Sequence, residues 1–592
     1  MILCTGESDG GATVNRRELK HWKFMLDQSQ CGLGCGWARP SYDDSCWTDA
    51  QSYTCWETYD RALADYEGCG WFRTWVDISK ESTRRYVLKF DGVGGMAQVY
   101  VNGQLVHTNE NRYLPFCADV TAELKNGKNL IAVLVDNSWQ MAGHLPGGKR
   151  VEWVLYGGLT HHIYLEEQPN LHIAHVRCDA KADGRVRVIA TVENRNKAAV
   201  PPVNGKVTVA VAGCAYEQPL ELASGEKTKL EFCLQAENVK TWSPDAPNLY
   251  DLTVELVNEA TVCDSQTHRV GFRTVEVQGT KILLNGEEIL LKGANRYDEL
   301  GDYGICPPEE AVRADFMQMK ACGMNIIRTH YPQDEMHYRL ADELGLMYMI
   351  EVTLNWWYPA ADKTFADFCG LMAEAVDHMD RTFESFCNHP CWTVWSVGNE
   401  CSHSHSACNQ AFRMLAQRMR DLDCQRLITY AANKPLLNSE ELDFVDFLGL
   451  NCYYGIKSDS VEDFREQMIE PLERVIANAR ALYPNKPHVL MEFGSVCVRG
   501  LRGNPTEGRF SEDFRATFLA EKWKVFMTNP QLKGLVIWCW ADYRHHRTFL
   551  PSKAGIGLQV TYGPFGMVTI DRKPKEHFLS VMSELYKNWT LD

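Results

Sequence analysis

The alternation of apolar and polar positions changes character twice along the chain. Up to about residue 168, short runs of period two recur at 85–90, 97–101, 130–135 and 162–165. Turn pairs such as Asn102-Gly103 and Asn126-Gly127 punctuate them, and such pairs favour hairpins. Helical periodicity is nearly absent, so residues 1–168 are predicted to form a β-sandwich of jelly-roll type. Residues 169–277 continue with strand-length runs at 172–178, 186–192, 206–211 and 250–257. That spacing over about a hundred residues predicts an immunoglobulin-like sandwich.

After Gly279 the pattern switches to continuous apolar runs. These lie at 289–292, 325–328, 347–352, 393–397, 427–431, 447–451, 489–492 and 535–540. Helix-like segments separate them, at 309–321, 366–386, 409–422, 461–482 and 512–527. Strands buried on both faces and joined by crossover helices belong to parallel sheets. Eight of them in about 300 residues is the number of a TIM (β/α)8 barrel, expected over 278–592. A doubly wound sheet would alternate similarly, but no Gly-rich dinucleotide fingerprint follows the first strand.

A length of 592 residues suits three or four domains. The net charge of −16 makes nucleic acid and anionic membranes poor partners. An anionic substrate would need a local cationic pocket. The 17 Trp and 24 Tyr supply flat faces that stack on sugar rings, although β-domains favour aromatics on their own account. The 22 Cys are scattered and form no CxxC pair, which points away from a disulfide framework or a zinc ribbon. Residues 1–20 lack the apolar stretch of a signal peptide, and no run reaches the ~18 apolar residues of a membrane span. The expectation is a cytoplasmic protein with reduced cysteines.

In a TIM barrel the chemistry sits at the C-terminal ends of the strands. The predicted fourth strand ends in Asn399-Glu400 and the seventh in Glu492. Asn-Glu also occurs at 109–110 and 258–259, but only the third copy follows an apolar strand. Burying a carboxylate is costly, so two at these strand ends require a reason. Glycoside hydrolysis supplies one. One carboxylic acid protonates the leaving oxygen and the other attacks the anomeric carbon, with about 5–5.5 Å between them in retaining enzymes. Glu400 would be the acid/base, its pKa raised by apolar surroundings and the Glu492 charge, and Glu492 the nucleophile.

Several longer motifs accompany the two glutamates. They include Gly70-Trp71-Phe72-Arg73, Trp242-Ser243-Pro244-Asp245, Val270-Gly271-Phe272-Arg273 and Lys292-Gly293-Ala294-Asn295-Arg296. Further on come Asn388-His389-Pro390, Trp395-Ser396-Val397-Gly398-Asn399-Glu400 and Met491-Glu492-Phe493-Gly494. Along nearly its whole length the chain resembles glycoside hydrolase family 2, in particular the β-glucuronidase and β-galactosidase branches. The resemblance implies that Asn399 bonds the sugar 2-hydroxyl and that Asn451 and Tyr453 line the pocket, with Tyr453 orienting Glu492. It also implies that Trp538 forms the floor, that His330 is a pocket histidine, and that Glu152 reaches in from the first domain. It implies no organic cofactor and a homo-oligomer acting on a small glycoside or oligosaccharide. No residue cluster compels a metal.

The sequence departs from the glucuronidase pattern where the sugar carboxylate is gripped. The segment Thr569-Ile570-Asp571-Arg572-Lys573-Pro574-Lys575 is present, but the upstream Asn-x-Lys is replaced by Gly563-Pro564-Phe565. Arg544-His545-His546-Arg547 follows the last predicted strand. An arginine fork binds carboxylate bidentately, so Arg544 and Arg547 are candidates to take over that contact at another angle, which would suit β-galacturonide ahead of β-glucuronide. Arg328 lies two residues before His330 where the family pattern has three, which changes the face it points to. Tyr297 stands where the family usually has His. The short 352–363 segment suggests an open mouth and a glycan aglycone. A neutral β-galactosidase of the same family, and a non-catalytic carbohydrate-binding protein, are the alternatives.

Overall fold

The computed structural model describes residues 14–139, 145, 151–196, 202–423, 425–545 and 562–591. Three β-rich bodies follow one another. The first packs a six-stranded antiparallel sheet against a four-stranded one. Cys69–Ile78 and Gly127–Asp136 form the centre of the larger sheet, and Ile163–Pro169 and Arg84–Phe90 that of the smaller. Trp56, Phe72, Phe90, Val99 and Val133 fill the space between them. The second is a sandwich of three and four antiparallel strands. Its strand Arg185–Asn194 shows the expected alternation: Val186, Val188, Ala190 and Val192 are buried, while Arg185 and Arg187 are exposed.

The third is a closed barrel of eight parallel strands in sequential order. They are β1 (Leu291–Asn295), β2 (Ile326–Thr329), β3 (Met347–Glu351), β4 (Trp392–Asn399), β5 (Leu427–Ala432), β6 (Leu448–Asn451), β7 (His488–Glu492) and β8 (Leu532–Ile537). β1 closes on β8 through Leu291–Gly534 to Ala294–Ile537 pairing. All eight residues of β4 are buried, which is why these strands read as unbroken apolar runs. The first strand begins later than its apolar run suggested, because Glu287–Glu288 turns back in a hairpin on Lys281–Leu284. The helix expected over 461–482 is broken. A 3-10 turn at Val461–Asp463 and a π turn at Arg465–Ile469 precede the regular helix Glu470–Leu482. Pro471 stands in its first turn, where the missing N–H is tolerated, but it cannot donate to the preceding turn.

Two motifs hold the middle sandwich against the barrel. Arg273 is buried and donates to the carbonyl oxygens of Pro390 and Trp392, the latter at 2.7 Å. Asn388 accepts from the Cys178 N–H and donates to the Val176 carbonyl, both at 2.8 Å. Asn388-His389-Pro390 therefore fixes the entry to β4, the strand that carries Glu400, rather than reaching the sugar site. Among the described residues, all cysteines are free thiols, no helix is long and apolar enough to cross a membrane, and no group of three or more His, Cys, Asp or Glu could hold a metal ion.

Candidate active site

The strand ends converge on one buried cation. Arg328, on β2, has no exposed side-chain surface. One guanidinium nitrogen donates to Glu492 Oε1 and Asn295 Oδ1, both at 2.7 Å. The other donates to Glu351 Oε2 at 2.8 Å and Asn399 Oδ1 at 2.9 Å. Burial favours the neutral form of Glu351, but the Arg328 guanidinium, with the His330 contact, outweighs it and holds the carboxyl below its ordinary range. His330 Nδ1 lies 2.9 Å from Glu351 Oε1. The position of Arg328 two residues before His330 thus turns its guanidinium beneath the pocket, where it ties four strand ends together.

The two glutamates flank a cavity of about 200 Å³ and differ in environment. Glu492 is buried and takes an O–H donor from Tyr453 at 2.7 Å as well as the Arg328 contact. Burial and the neighbouring Glu492 charge hold the Tyr453 phenol well above its ordinary value, so it remains a donor. Glu400 is half-buried and its donors are neutral. Asn451 Nδ2 donates to Oε1 at 2.9 Å and the Trp356 indole to Oε2 at 2.9 Å. Burial, then the Glu492 charge, raise the Glu400 pKa above the usual carboxylate value. Its backbone has φ of 52°, a left-handed conformation that costs a non-glycine residue energy and concentrates at functional sites. The Asn399 Oδ1 accepts from both Arg328 and Asn451, at 2.9 and 3.1 Å, which turns its amide N–H groups toward the cavity it lines.

The wall comes from two domains. His330 stacks on Trp153 with ring centroids 5.5 Å apart, and Trp538 packs 5.2 Å from His330. Trp153 and Glu152 enter from the N-terminal sandwich. The Glu152 carboxylate accepts from Tyr543 Oη at 3.3 Å, and Tyr297 packs between Trp153, Trp538 and Tyr543. Phe565 forms part of the same wall.

Arg544 is placed elsewhere. It follows Tyr543 on a strand, so its side chain takes the opposite face. Its guanidinium donates to the Ala64 carbonyl at 3.1 Å, and its backbone N–H to Glu299 at 2.8 Å. Burial disfavours its charged form, but the adjacent Tyr156 and Glu299 outweigh this and raise its pKa. The Arg544 guanidinium thus lies between the barrel and the N-terminal sandwich, and Arg544 is not among the described residues that line the cavity. Arg547 lies outside the described residues. Among the described residues that line the cavity there is no Lys or Arg. Trp356, Trp153, Tyr543 and Glu351 are site residues that sequence reasoning did not single out. Only Glu351, a carboxylate ending an apolar run, carried the signal used for Glu400 and Glu492.

Residues 275–589 match the family model for the TIM barrel domain of glycosyl hydrolases family 2. Residues 18–168 match that family's sugar binding domain and residues 167–273 a further family 2 model. A β-glucuronidase of Paenibacillus borealis is 27% identical over 94% of this chain and 95% of its own length. A β-galactosidase of Thermoanaerobacter pseudethanolicus is 30% identical over 58% of this chain, which spans 46% of that relative. A solved β-galacturonidase from Eisenbergiella tayi bound to galacturonate superposes with a TM-score of 0.83 at 22% identity, covering 98% of both chains. A β-glucuronidase from Ruminococcus gnavus in complex with D-glucuronic acid gives 0.83 at 24% identity, covering 97% of this chain and 98% of its own. With family models covering the barrel and both sandwiches, the chain belongs to glycoside hydrolase family 2 and is a glycosidase.

Proposed function

We propose that the protein is a retaining, exo-acting β-glycosidase that works by double displacement, with Glu492 as nucleophile and Glu400 as acid/base. The observation that carries this is the difference between the two carboxylates on one cavity. Glu492 sits against a guanidinium and a phenol donor at 2.7 Å each, which hold its carboxylate in place for attack. Glu400 has only neutral donors and a raised pKa, which favours the protonated form. In the first step a Glu492 oxygen bonds to the anomeric carbon as the glycosidic C–O bond breaks, and Glu400 gives its proton to the departing oxygen. In the second, Glu400 takes a proton from water, which attacks the anomeric carbon and releases Glu492. Asn399 meets the 2-hydroxyl. A cavity of about 200 Å³, small against the ~300–1,000 Å³ of typical ligand sites, suits one terminal sugar.

For the sugar we infer a uronic acid, β-D-galacturonide ahead of β-D-glucuronide. Solved uronidases match end to end, whereas this chain spans less than half of the Thermoanaerobacter β-galactosidase. A second reading, a neutral β-galactoside, is favoured by the described wall, which holds Phe565 and Glu152 but no Lys or Arg. Hydrolysis of matched p-nitrophenyl β-galacturonide, glucuronide, galactoside and glucoside separates the two. Nuclear magnetic resonance of the first-formed sugar tests the mechanism, because an initial α-anomer would overturn retention.

A further inference from the structure

A second cavity, of about 280 Å³, opens beside the Glu400 end of the site. It lies between the C-terminal ends of β5 and β6 and the start of the helix Glu470–Leu482. Tyr454 supplies an aromatic face, and Asn451 and Asn478 line it with Lys434 and Arg474. Asn451 is the residue whose amide also holds Glu400 Oε1 at 2.9 Å, so the cavity adjoins the acid/base carboxylate. Tyr358 makes the same connection from the other side. It hydrogen-bonds to Asn433, another lining residue, and lies within electrostatic range of Glu400. The Lys434 ammonium sits 5.6 Å from the Tyr358 ring.

Both cations are exposed, and among the described residues neither makes an ion pair. In a chain of net charge −16, two unneutralised cations on one concave rim create a local positive field. The departing group of a glycosidase leaves past the acid that protonates it, and this rim adjoins that carboxylate through Asn451.

Resting on the glycosidase reading above, we propose that this cavity is an aglycone subsite for an anionic sugar residue, bearing a carboxylate or a sulfate, which stacks on Tyr454 and pairs with Lys434 and Arg474. The natural substrate is then an acidic oligosaccharide whose second residue carries the charge, whatever the terminal sugar.

The test uses the full chain and the double variant K434Q/R474Q. The terminal sugar that the enzyme releases best from a p-nitrophenyl glycoside is presented again on a neutral hexose, on a uronic acid and on a sulfated hexose. For the wild type, kcat/KM on a charged acceptor is expected to exceed that on the neutral one by about tenfold, on the scale of one or two partly exposed charge-assisted contacts. The excess should shrink as salt is raised and vanish in the double variant, while p-nitrophenyl glycoside turnover stays within twofold. The uronic acid and sulfate arms identify which anion is preferred. An equal charged-to-neutral ratio in wild type and variant, with p-nitrophenyl turnover intact, overturns the subsite alone. Failure to hydrolyse any of the p-nitrophenyl glycosides overturns the glycosidase reading on which it rests.

Discussion

Arg328 Nη1 lies 2.7 Å from Glu492 Oε1, and the two charges meet with essentially no solvent between them and the barrel interior. Removing one member of such a buried pair leaves the other uncompensated, which costs about 3–5 kcal/mol. R328Q would leave Glu351 and Glu492 without the guanidinium that bridges them. It is expected to lower stability by that amount in urea titrations and to lower kcat about 10²-fold or more, as loss of a preorganised electrostatic contact does. R328K keeps the charge but not the fork that reaches four partners, and should recover stability better than kcat. Unchanged kcat in both variants would remove Arg328 from the positioning of Glu492.

With Glu400 as the proposed acid, its donors are expected to set the alkaline limb of activity. The Asn451 and Trp356 hydrogen bonds stabilise its ionised form and so lower its pKa against the opposing effects of burial and Glu492. W356F deletes one of these donors. The Glu400 pKa should rise, so the protonated acid persists to higher pH and the alkaline limb of kcat/KM moves up, even as the maximal rate falls. A limb that moves down, or does not move, would mean that another group titrates there.

A general acid matters most for a poor leaving group. E400Q keeps the shape and the Asn451 contact but has no proton to give. It is expected to lose about 10²–10⁴-fold on an alkyl glycoside or disaccharide, the usual value of general acid catalysis. The loss should be much smaller on glycosylation by an activated aryl glycoside, read as a pre-steady-state burst. Equal losses on both would place the acid elsewhere.

The barrel, the two sandwiches and the two glutamates were legible because each left a local trace. Strands buried on both faces are continuous apolar runs, and Glu400, Glu492 and Glu351 are carboxylates at the ends of such runs. The site wall was less legible, because it is assembled over long sequence separations. Trp153 meets His330, and Tyr543 meets Glu152, and no spacing announces such contacts. The placement of Arg544 was hard to read for a different reason. Its charge and its place after the last strand were read correctly, but the face of a two-residue strand (Tyr543–Arg544) decides where the guanidinium goes, and Tyr543 took the pocket side.

That placement makes a prediction. If Arg544 brackets Ala64 and Glu299 rather than a sugar carboxylate, R544A should change galacturonide and galactoside turnover by the same factor, within about threefold, a ratio worth less than 1 kcal/mol. A selective loss on the uronide, in kcat/KM, would return Arg544 to substrate recognition.

The segment Thr569-Ile570-Asp571-Arg572 earns its place through Asp315 rather than through the sugar. Asp315, buried on the helix Glu309–Ala321, receives Arg296 and Arg572, both at 2.9 Å, and the Trp540 indole. Burial raises its pKa, but Arg572 and Arg296 outweigh this and the net shift is downward. The unfolded chain then binds a proton that the folded carboxylate rejects. Its stabilising contribution is fully present above the unfolded value of about 3.9 and fades as pH falls through the lower folded value. D315N strands two buried guanidinium groups and should cost about 3–5 kcal/mol at pH 7. The gap between wild type and variant should narrow below pH 4, measured as the difference in urea midpoints so that other carboxylates cancel. A gap that stays constant down to pH 2.5 would mean that packing around Trp540, and not the charge of Asp315, holds β1 to the Arg572 segment.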